Sequence, residues 1–257
     1  MKRIAISAFN RTFGKIFRLV QSTLIPSPTP TNLHHLVKLN ALETSAEFAI
    51  KNFSQALIFD TREQLWAFCV ERSSYLQAEQ RNSTERRQKN VEGGGKEGLI
   101  AEFGVWKGES INFFARESPN SLIYGFDSFE GLEEDWYGFR LTRGTFSTNG
   151  RLPEVEPNVI LIKGWFEETV PKFVKEIGDM KLRIVHMDAD TYKPTSFVLR
   201  SIRKNLATGS IIIFDEFFGY ENWQLHEFKA WHELVKESGL NFKYIAYTEM
   251  QVAVQII

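Results

Sequence analysis

The chain has 257 residues, of which 43% are hydrophobic and 25% charged, and its formal net charge is −1. This composition suits one globular domain and gives no general attraction to nucleic acid. The single cysteine, Cys69, excludes an intramolecular disulfide and a cysteine-based zinc site, so we expect a reducing, cytoplasmic compartment. No apolar run approaches the length of a membrane span.

Residues 1–32 form a basic segment followed by a linker, PSPTPTN. The basic residues are Lys2, Arg3, Arg11, Lys15 and Arg18. Apolar residues between them share one helical face, which predicts an amphipathic helix. Such a helix fits peripheral membrane contact through residues 1–25, or a transit peptide. It equally fits packing on the domain or on a second subunit, and we expect a homo-oligomer.

Residues 33–97 are predicted to be a helical N-terminal region or lid. The stretch 43–80 contains two helical patterns, and the second is expected to begin at Thr61, where Gln64 completes a capping box. Leu65, Trp66, Phe68 and Cys69 would form its buried side. The Gly-rich stretch 85–98 is predicted to be a mobile loop.

From residue 98 to 257, short apolar runs alternate with helical patterns. The runs are LIAEFGV, LIYGFD, NVILIKGW, RIVHMDAD and SIIIFDEF. This alternation predicts an α/β fold with a Rossmann-like, mostly parallel seven-stranded sheet and helices on both faces. Helices are expected over 193–206 and 221–238. The last two runs, FKYIAYT and QVAVQII, predict a C-terminal antiparallel hairpin at the sheet edge.

Polar or glycine residues follow nearly every predicted strand. They are Glu102, Gly104, Gly108, Ser110, Asp127, Gly164, Trp165, Phe166, Asp188, Asp190, Asp215 and Glu216. In an open α/β sheet, ligands bind outside the carboxyl ends of the strands. We therefore expect these residues to surround one ligand site.

The first two strand ends indicate a nucleoside ligand. Gly104 and Gly108 permit a tight turn with a ligand close to the backbone, and Asp127 stands where an acid binds ribose hydroxyls. A structural turn and a solvated aspartate are the simpler alternatives. A dinucleotide fingerprint requires glycine where Trp106 and Glu109 stand, which argues against NAD and favours adenosine without phosphates.

The segments EFGVWKGES, FDSFEGL, KGWFEETVP, HMDADTY and FDEFFGY occur in this order. Together they resemble the macrocin O-methyltransferase family of class I S-adenosylmethionine-dependent methyltransferases. The resemblance covers residues 98–257 and implies a metal-dependent enzyme that methylates hydroxyl groups, often on sugars of natural products. The expected partner is thus a small hydroxylated acceptor.

The resemblance also implies the role of each site residue. The implied cofactor-binding residues are Glu102, Phe103, Gly104, Gly108, Ser110, Asp127, Ser128, Gly164, Trp165, Phe166 and Asp188. The implied metal ligands are Asp188, Asp215 and Glu216, with Asp190 as general base. All are oxygen ligands, which suit a hard ion such as Mg²⁺. The family usually has two adjacent aspartates where this chain has Asp215-Glu216, and the longer arm of Glu216 would shift the metal or make that ligand indirect.

Each chemical assignment has a structural alternative. Asp190 could cap the helix near Pro194. The acids Asp188, Asp215 and Glu216 could pair with lysine or arginine instead of a metal. These alternatives predict contacts that a structure distinguishes.

The aromatic and histidine residues are similarly ambiguous. His186 fits a core histidine better than a ligand, and His226 is a minor candidate for the base. Phe217, Phe218, Tyr220 and Trp223 fit an acceptor pocket as well as the core. Trp136 and Tyr137 fit either a lid or an ordinary loop.

The sequence therefore predicts a metal-dependent O-methyltransferase that acts on a small polyhydroxylated acceptor. Two alternatives remain. One is a metal-independent methyltransferase of the same fold, and the other is a subunit that binds S-adenosylmethionine without turnover.

Overall fold

The computed structural model describes residues 32–87 and 98–257. The basic segment 1–25 and most of the predicted loop 85–98 therefore lie outside the described residues. Residues Ala41–Ile257 form one compact unit, which contains every strand described. None of the described helices is both long enough and apolar enough to cross a membrane.

Six α-helices occur in the described part of the chain. They are α1 (Leu33–Asn52), α2 (Arg62–Arg87), α3 (Glu109–Glu117), α4 (Phe166–Ile177), α5 (Tyr192–Ile202) and α6 (Glu227–Ser238). The strands are β1 (Leu57–Ile58), β2 (Leu99–Phe103), β3 (Ile123–Asp127), β4 (Trp136–Tyr137), β5 (Arg140–Leu141), β6 (Val159–Lys163), β7 (Leu182–Met187), β8 (Ile211–Phe214), β9 (Phe242–Tyr247) and β10 (Val252–Ile256).

Eight strands form one sheet in the order β1-β9-β10-β8-β7-β2-β3-β6, and β4 and β5 form a separate ribbon. The central strands are parallel, whereas β10 is antiparallel to both β8 and β9. The predicted fold class and the C-terminal antiparallel pair are thus confirmed. The sheet has one strand more than the seven predicted, because Leu57–Ile58 pairs in parallel with β9 at the edge.

Side chains alternate between two cores because successive strand residues point to opposite faces. Phe103, Val185 and Phe214 belong to one core, which Phe173 of α4 and Trp231 of α6 also join. The opposite core contains Ile100, Ile184, Ile211, Ile213, Leu65, Trp66, Cys69 and Phe114. Helices therefore cover both faces and leave the carboxyl ends of the strands accessible to a ligand.

Helix α2 begins at the predicted capping box. The backbone N–H of Gln64 donates to Thr61 Oγ1 over 3.3 Å, and that of Thr61 donates to Gln64 Oε1 over 3.3 Å. These reciprocal bonds satisfy two donors at the helix start. The helix then continues to Arg87, so its end occupies the start of the predicted loop 85–98.

The single helix predicted over 221–238 is wrong in its first third. A short 3₁₀ turn covers Trp223–Leu225, and α6 begins only at Glu227. Asn222 has φ +63° and His226 lies outside the helical region, so the backbone cannot continue one helix through them. The predicted end is correct, since Gly239 closes the helix with φ +68°.

Candidate active site

A cleft of about 220 Å³ lies at the carboxyl ends of the parallel strands. Ten of the predicted site residues line it: Gly104, Asp127, Ser128, Gly164, Trp165, Phe166, Asp188, Asp190, Asp215 and Glu216. Five strands contribute these residues, because parallel strands end at the same edge of the sheet. The structure thus brings together residues that lie more than 100 positions apart in the sequence.

Gly104, in the turn after β2, packs closely against the segment that follows β7. Its φ is +96°, and its N–H donates to the Phe126 carbonyl over 2.9 Å. A Cβ added here would lie 1.7 Å from the carbonyl oxygen of Asp188. The position therefore requires glycine for space as well as for backbone conformation.

We expect Gly104→Ala to lower the free energy of unfolding by about 3 kcal/mol, because it combines a positive φ with overpacking. Gly239→Ala is the matched control, since Gly239 has φ +68° but nothing within 4 Å of an added Cβ. The control should lose only about 1 kcal/mol. Urea unfolding of both variants measures the difference, and equal losses would contradict the role of the Asp188 contact.

Asp127 organises the glycine turn as well as lining the cleft. Its Oδ2 accepts the N–H groups of Val105 over 2.9 Å and Trp106 over 2.7 Å, and its Oδ1 accepts that of Phe129 over 2.6 Å. Trp106 has φ +46°, an unusual conformation for a bulky residue. An ionised carboxylate has about four acceptor sites, so one remains for a ligand hydroxyl. Asp127 is therefore not the free, solvated aspartate of the simpler alternative.

Ser128, Gly164 and the two aromatic residues after β6 complete this side of the cleft. Ser128 Oγ accepts the Glu130 N–H over 3.1 Å, and the Gly164 N–H donates to the Asp127 carbonyl over 3.0 Å. Trp165 precedes α4, and Phe166 packs edge-on against Phe103 with ring centroids 5.9 Å apart. Aromatic rings and carboxylates thus face the same cavity.

Four predicted cofactor residues do not line the cleft. Glu102, Phe103, Gly108 and Ser110 are all buried. Glu102 accepts a hydrogen bond from Ser110 Oγ over 3.1 Å and lies 3.1 Å from His186 Nδ1. These contacts support the cleft from below, and direct contact of the four residues with a cofactor stays a prediction.

His186 is fully buried, as the core interpretation predicts. Its Nδ1 contacts Glu102, and its Nε2 lies 3.5 Å from Asp215 Oδ1. Burial lowers the pKa of His186, but the Asp215 and Glu102 carboxylates outweigh this effect and raise it. A cationic imidazole between two carboxylates compensates part of their charge.

The three predicted metal ligands form one cluster. Asp188, Asp215 and Glu216 each offer a carboxylate oxygen, and these oxygens lie within 4.8 Å of one another. Among the described residues, no lysine or arginine forms an ion pair with them, so the ion-pair alternative is not supported. Glu216 Oε2 is buried and has no hydrogen-bond partner among the described residues.

Two further residues hold this cluster from behind. Gln251 Nε2 donates a hydrogen bond to Asp215 Oδ1. Glu227 is fully buried, and its Oε2 accepts the backbone N–H of Glu216 over 3.0 Å. Asp215 is therefore held through its side chain, and Glu216 is held through its backbone N–H.

Electrostatics at the cluster favour a cation. Burial, followed by the charges of Asp215 and Asp190, raises the pKa of Asp188 well above its usual range. Burial and the charges of Asp215 and Asp188 do the same to Glu216. A divalent cation would stabilise the ionised carboxylates. The oxygen-only donors, their proximity and the unpartnered Glu216 oxygen fit a hard ion such as Mg²⁺.

Asp190 lines the cleft in a strained backbone turn. Its φ is +60°, and the following Thr191 N–H donates across it to the Ala189 carbonyl over 2.6 Å. Thr191 occupies the N-cap position of α5, so the alternative in which Asp190 caps this helix is not realised. Strain of this kind persists where the surrounding structure enforces it, and it occurs often in active sites.

The aromatic residues after β8 belong to the core. Phe217, Phe218, Tyr220 and Trp223 are all buried and do not line the cleft, so the core alternative is correct. His226 is also buried away from the cleft, and its Nε2 contacts the Tyr137 carbonyl at 2.6 Å. It is not positioned as the base.

The loop predicted to be a lid borders the cleft through other residues. Gly131, Leu132, Glu133 and Phe146 line the cavity. Trp136 is buried against Phe139, whereas Tyr137 is exposed. Trp136 thus anchors the loop, and closure of the loop stays a prediction.

Comparison with known proteins gives one family match and several solved structures of similar fold. The family model described as a methyltransferase domain matches residues 101–217, which contain most of the cleft. No curated protein matches the sequence. A solved calicheamicin methyltransferase is 20% identical, with a TM-score of 0.53 over 90% of this chain and 94% of that one. The O-methyltransferase NovP is 18% identical, with a TM-score of 0.52 over 76% and 78%.

The chain has the methyltransferase fold. At these identities the two structures establish the fold alone. The reaction is therefore inferred from the residues of the cleft.

Proposed function

We propose that the chain is an S-adenosylmethionine-dependent O-methyltransferase of the macrocin family. It would methylate a hydroxyl group of a small polyhydroxylated acceptor with the help of a divalent cation. The observation that carries the proposal is the cluster of Asp188, Asp215 and Glu216 beside Asp190, in the same cleft as the glycine turn. The methyltransferase-domain match supports it.

The lining of the cleft suits the cofactor. S-adenosylmethionine, when bound, supplies a methyl group on a positively charged sulfur, ready for in-line displacement. Asp127 would accept a ribose hydroxyl at its remaining acceptor site, and Trp165 and Phe166 would flank the adenine. The carboxylates of the cleft would attract the positively charged groups of the cofactor.

The acids would prepare the acceptor for the reaction. An alcohol is a weak nucleophile at neutral pH because its pKa is high. A divalent cation held by Asp188, Asp215 and Glu216 would lower that pKa and orient the oxygen. Asp190 would accept the hydroxyl proton on a carboxylate oxygen as the acceptor oxygen attacks the methyl group. The methyl–sulfur bond would break in the same step, and its electron pair would leave on the sulfur of S-adenosylhomocysteine.

Calorimetric titration of S-adenosylhomocysteine into the protein tests the first step. We expect micromolar binding in Mg²⁺ and in EDTA, because the proposed cofactor contacts do not depend on the metal alone. NAD is the control ligand and should not bind, since Trp106 occupies the position of a phosphate-approaching glycine. Absence of S-adenosylhomocysteine binding in both buffers would overturn the proposal.

A further inference from the structure

The charges that line the cleft are strongly asymmetric. The acidic residues are Asp127, Glu133, Glu167, Asp188, Asp190, Asp215 and Glu216. Arg62 is the single basic residue among the described residues of this lining. Apart from the cation proposed for Asp188, Asp215 and Glu216, Arg62 is the one positive group in this described lining that can pair with a negative group of a ligand.

Arg62 is held at the edge of the cleft by its neighbours. It is the first residue of α2, directly after Thr61 of the capping box. Its Nη2 donates to Glu109 over 2.6 Å, and its guanidinium carbon lies 5.1 Å from the ring centre of the buried Trp66. Stacking on an indole ring fixes the plane of a guanidinium and stabilises its charge.

The guanidinium retains donors for a ligand. Of its five N–H groups, one donates to Glu109 and one, on Nε, contacts Glu63 over 3.4 Å. The two N–H groups on Nη1 and the second one on Nη2 remain, and this edge of the planar fork can bind a further carboxylate. The partner Glu109 is the residue after Gly108, so Arg62 lies beside the turn expected to hold the methionine end of the cofactor.

The proposed cofactor carries two positive groups, the sulfonium and the ammonium, and one negative group, the carboxylate. The acids of the cleft attract the first two and repel the third. We propose that Arg62 binds the methionine carboxylate of S-adenosylmethionine. This inference rests on the proposed function and identifies a cofactor contact from the helical N-terminal region, 42 positions before Gly104, where the glycine turn begins.

Paired titrations of two ligands test the contact. S-adenosylmethionine and its decarboxylated form differ only in the carboxylate. We expect Arg62→Met to weaken S-adenosylmethionine binding about 10- to 100-fold, the effect of losing a charged hydrogen-bonded pair. Binding of the decarboxylated form should change less than about threefold. Arg62→Lys keeps the charge without the fork and should give an intermediate loss.

Arg116→Met is the matched control. Arg116 also pairs with a glutamate, the partly exposed Glu156, over 3.3 Å, and it does not line the cleft. This variant should bind both ligands as the wild type does. Thermal unfolding of all variants checks that they fold.

The outcomes separate the inference from the proposed function. Equal weakening of both ligands by Arg62→Met would show that Arg62 only supports the cleft, and would overturn the inference. No weakening of S-adenosylmethionine binding, or a defect confined to the KM of an anionic acceptor, would overturn it too. Failure of the wild type to bind S-adenosylmethionine would instead overturn the proposed function, and this inference with it.

Discussion

Asp190→Asn is expected to lower the single-turnover rate of methyl transfer by a factor on the order of 10²–10⁴, the usual contribution of a general base. Asparagine keeps the shape of the side chain but cannot accept the proton. It also tolerates the left-handed conformation that Asp190 adopts at φ +60°, so the turn should persist. Quenched mixing of the enzyme, labelled S-adenosylmethionine and a hydroxylated acceptor measures the rate.

Asp179→Asn provides the comparison, because Asp179 is an exposed aspartate that does not line the cleft. Its rate should equal that of the wild type. S-adenosylhomocysteine binding should be unchanged in both variants. A normal rate for Asp190→Asn would show that another group takes the proton, and a loss of binding would show that Asp190 supports the cleft instead.

Removal of the divalent cation is expected to lower turnover at least about 100-fold, since a metal that polarises the acceptor oxygen contributes several kcal/mol. Turnover should return when Mg²⁺ is added after EDTA. Asp188→Asn should show the same loss in saturating Mg²⁺, with S-adenosylhomocysteine binding retained. Electron paramagnetic resonance of bound Mn²⁺ measures the site without turnover, and Asp188→Asn should lose the bound signal.

Two substitutions at one position sharpen this test. Glu216→Gln removes the charge of the third ligand and should weaken Mn²⁺ binding. Glu216→Asp gives the two adjacent aspartates that are usual in the macrocin O-methyltransferase family. This variant should retain Mn²⁺ binding. Full turnover in EDTA, or identical Mn²⁺ binding by the wild type and Glu216→Gln, would contradict a metal role for these residues.

The parallel sheet was predictable because its central strands are short, mostly apolar and almost wholly buried. The features that the sequence pattern missed have weak local signals. Strand β1 contains only Leu57 and Ile58, both exposed, so no periodicity could reveal it. The end of α2 is polar, and the break before α6 depends on the backbone of Asn222 and His226 rather than on their hydrophobicity.

The acids of the site were predictable because they directly follow strands. Arg62, Gln251 and Glu227 were not, since none of them directly follows the carboxyl end of a parallel strand. Arg62 reaches Glu109 across 47 positions, and Gln251 reaches Asp215 across 36. Only the folded sheet brings such pairs together. The sole local signal was the start of α2, which the capping box located correctly one residue before Arg62.

The hydrogen bonds that the Val105 and Trp106 N–H groups donate to Asp127 bear on how such enzymes diverge. The neighbouring strand, rather than glycine at position 106, maintains the shape of this turn. The side chain there can therefore vary without loss of the turn, and glycine would suit the backbone better than tryptophan. Trp106 is thus a position where selection, natural or in the laboratory, can alter ligand preference while the scaffold stays intact.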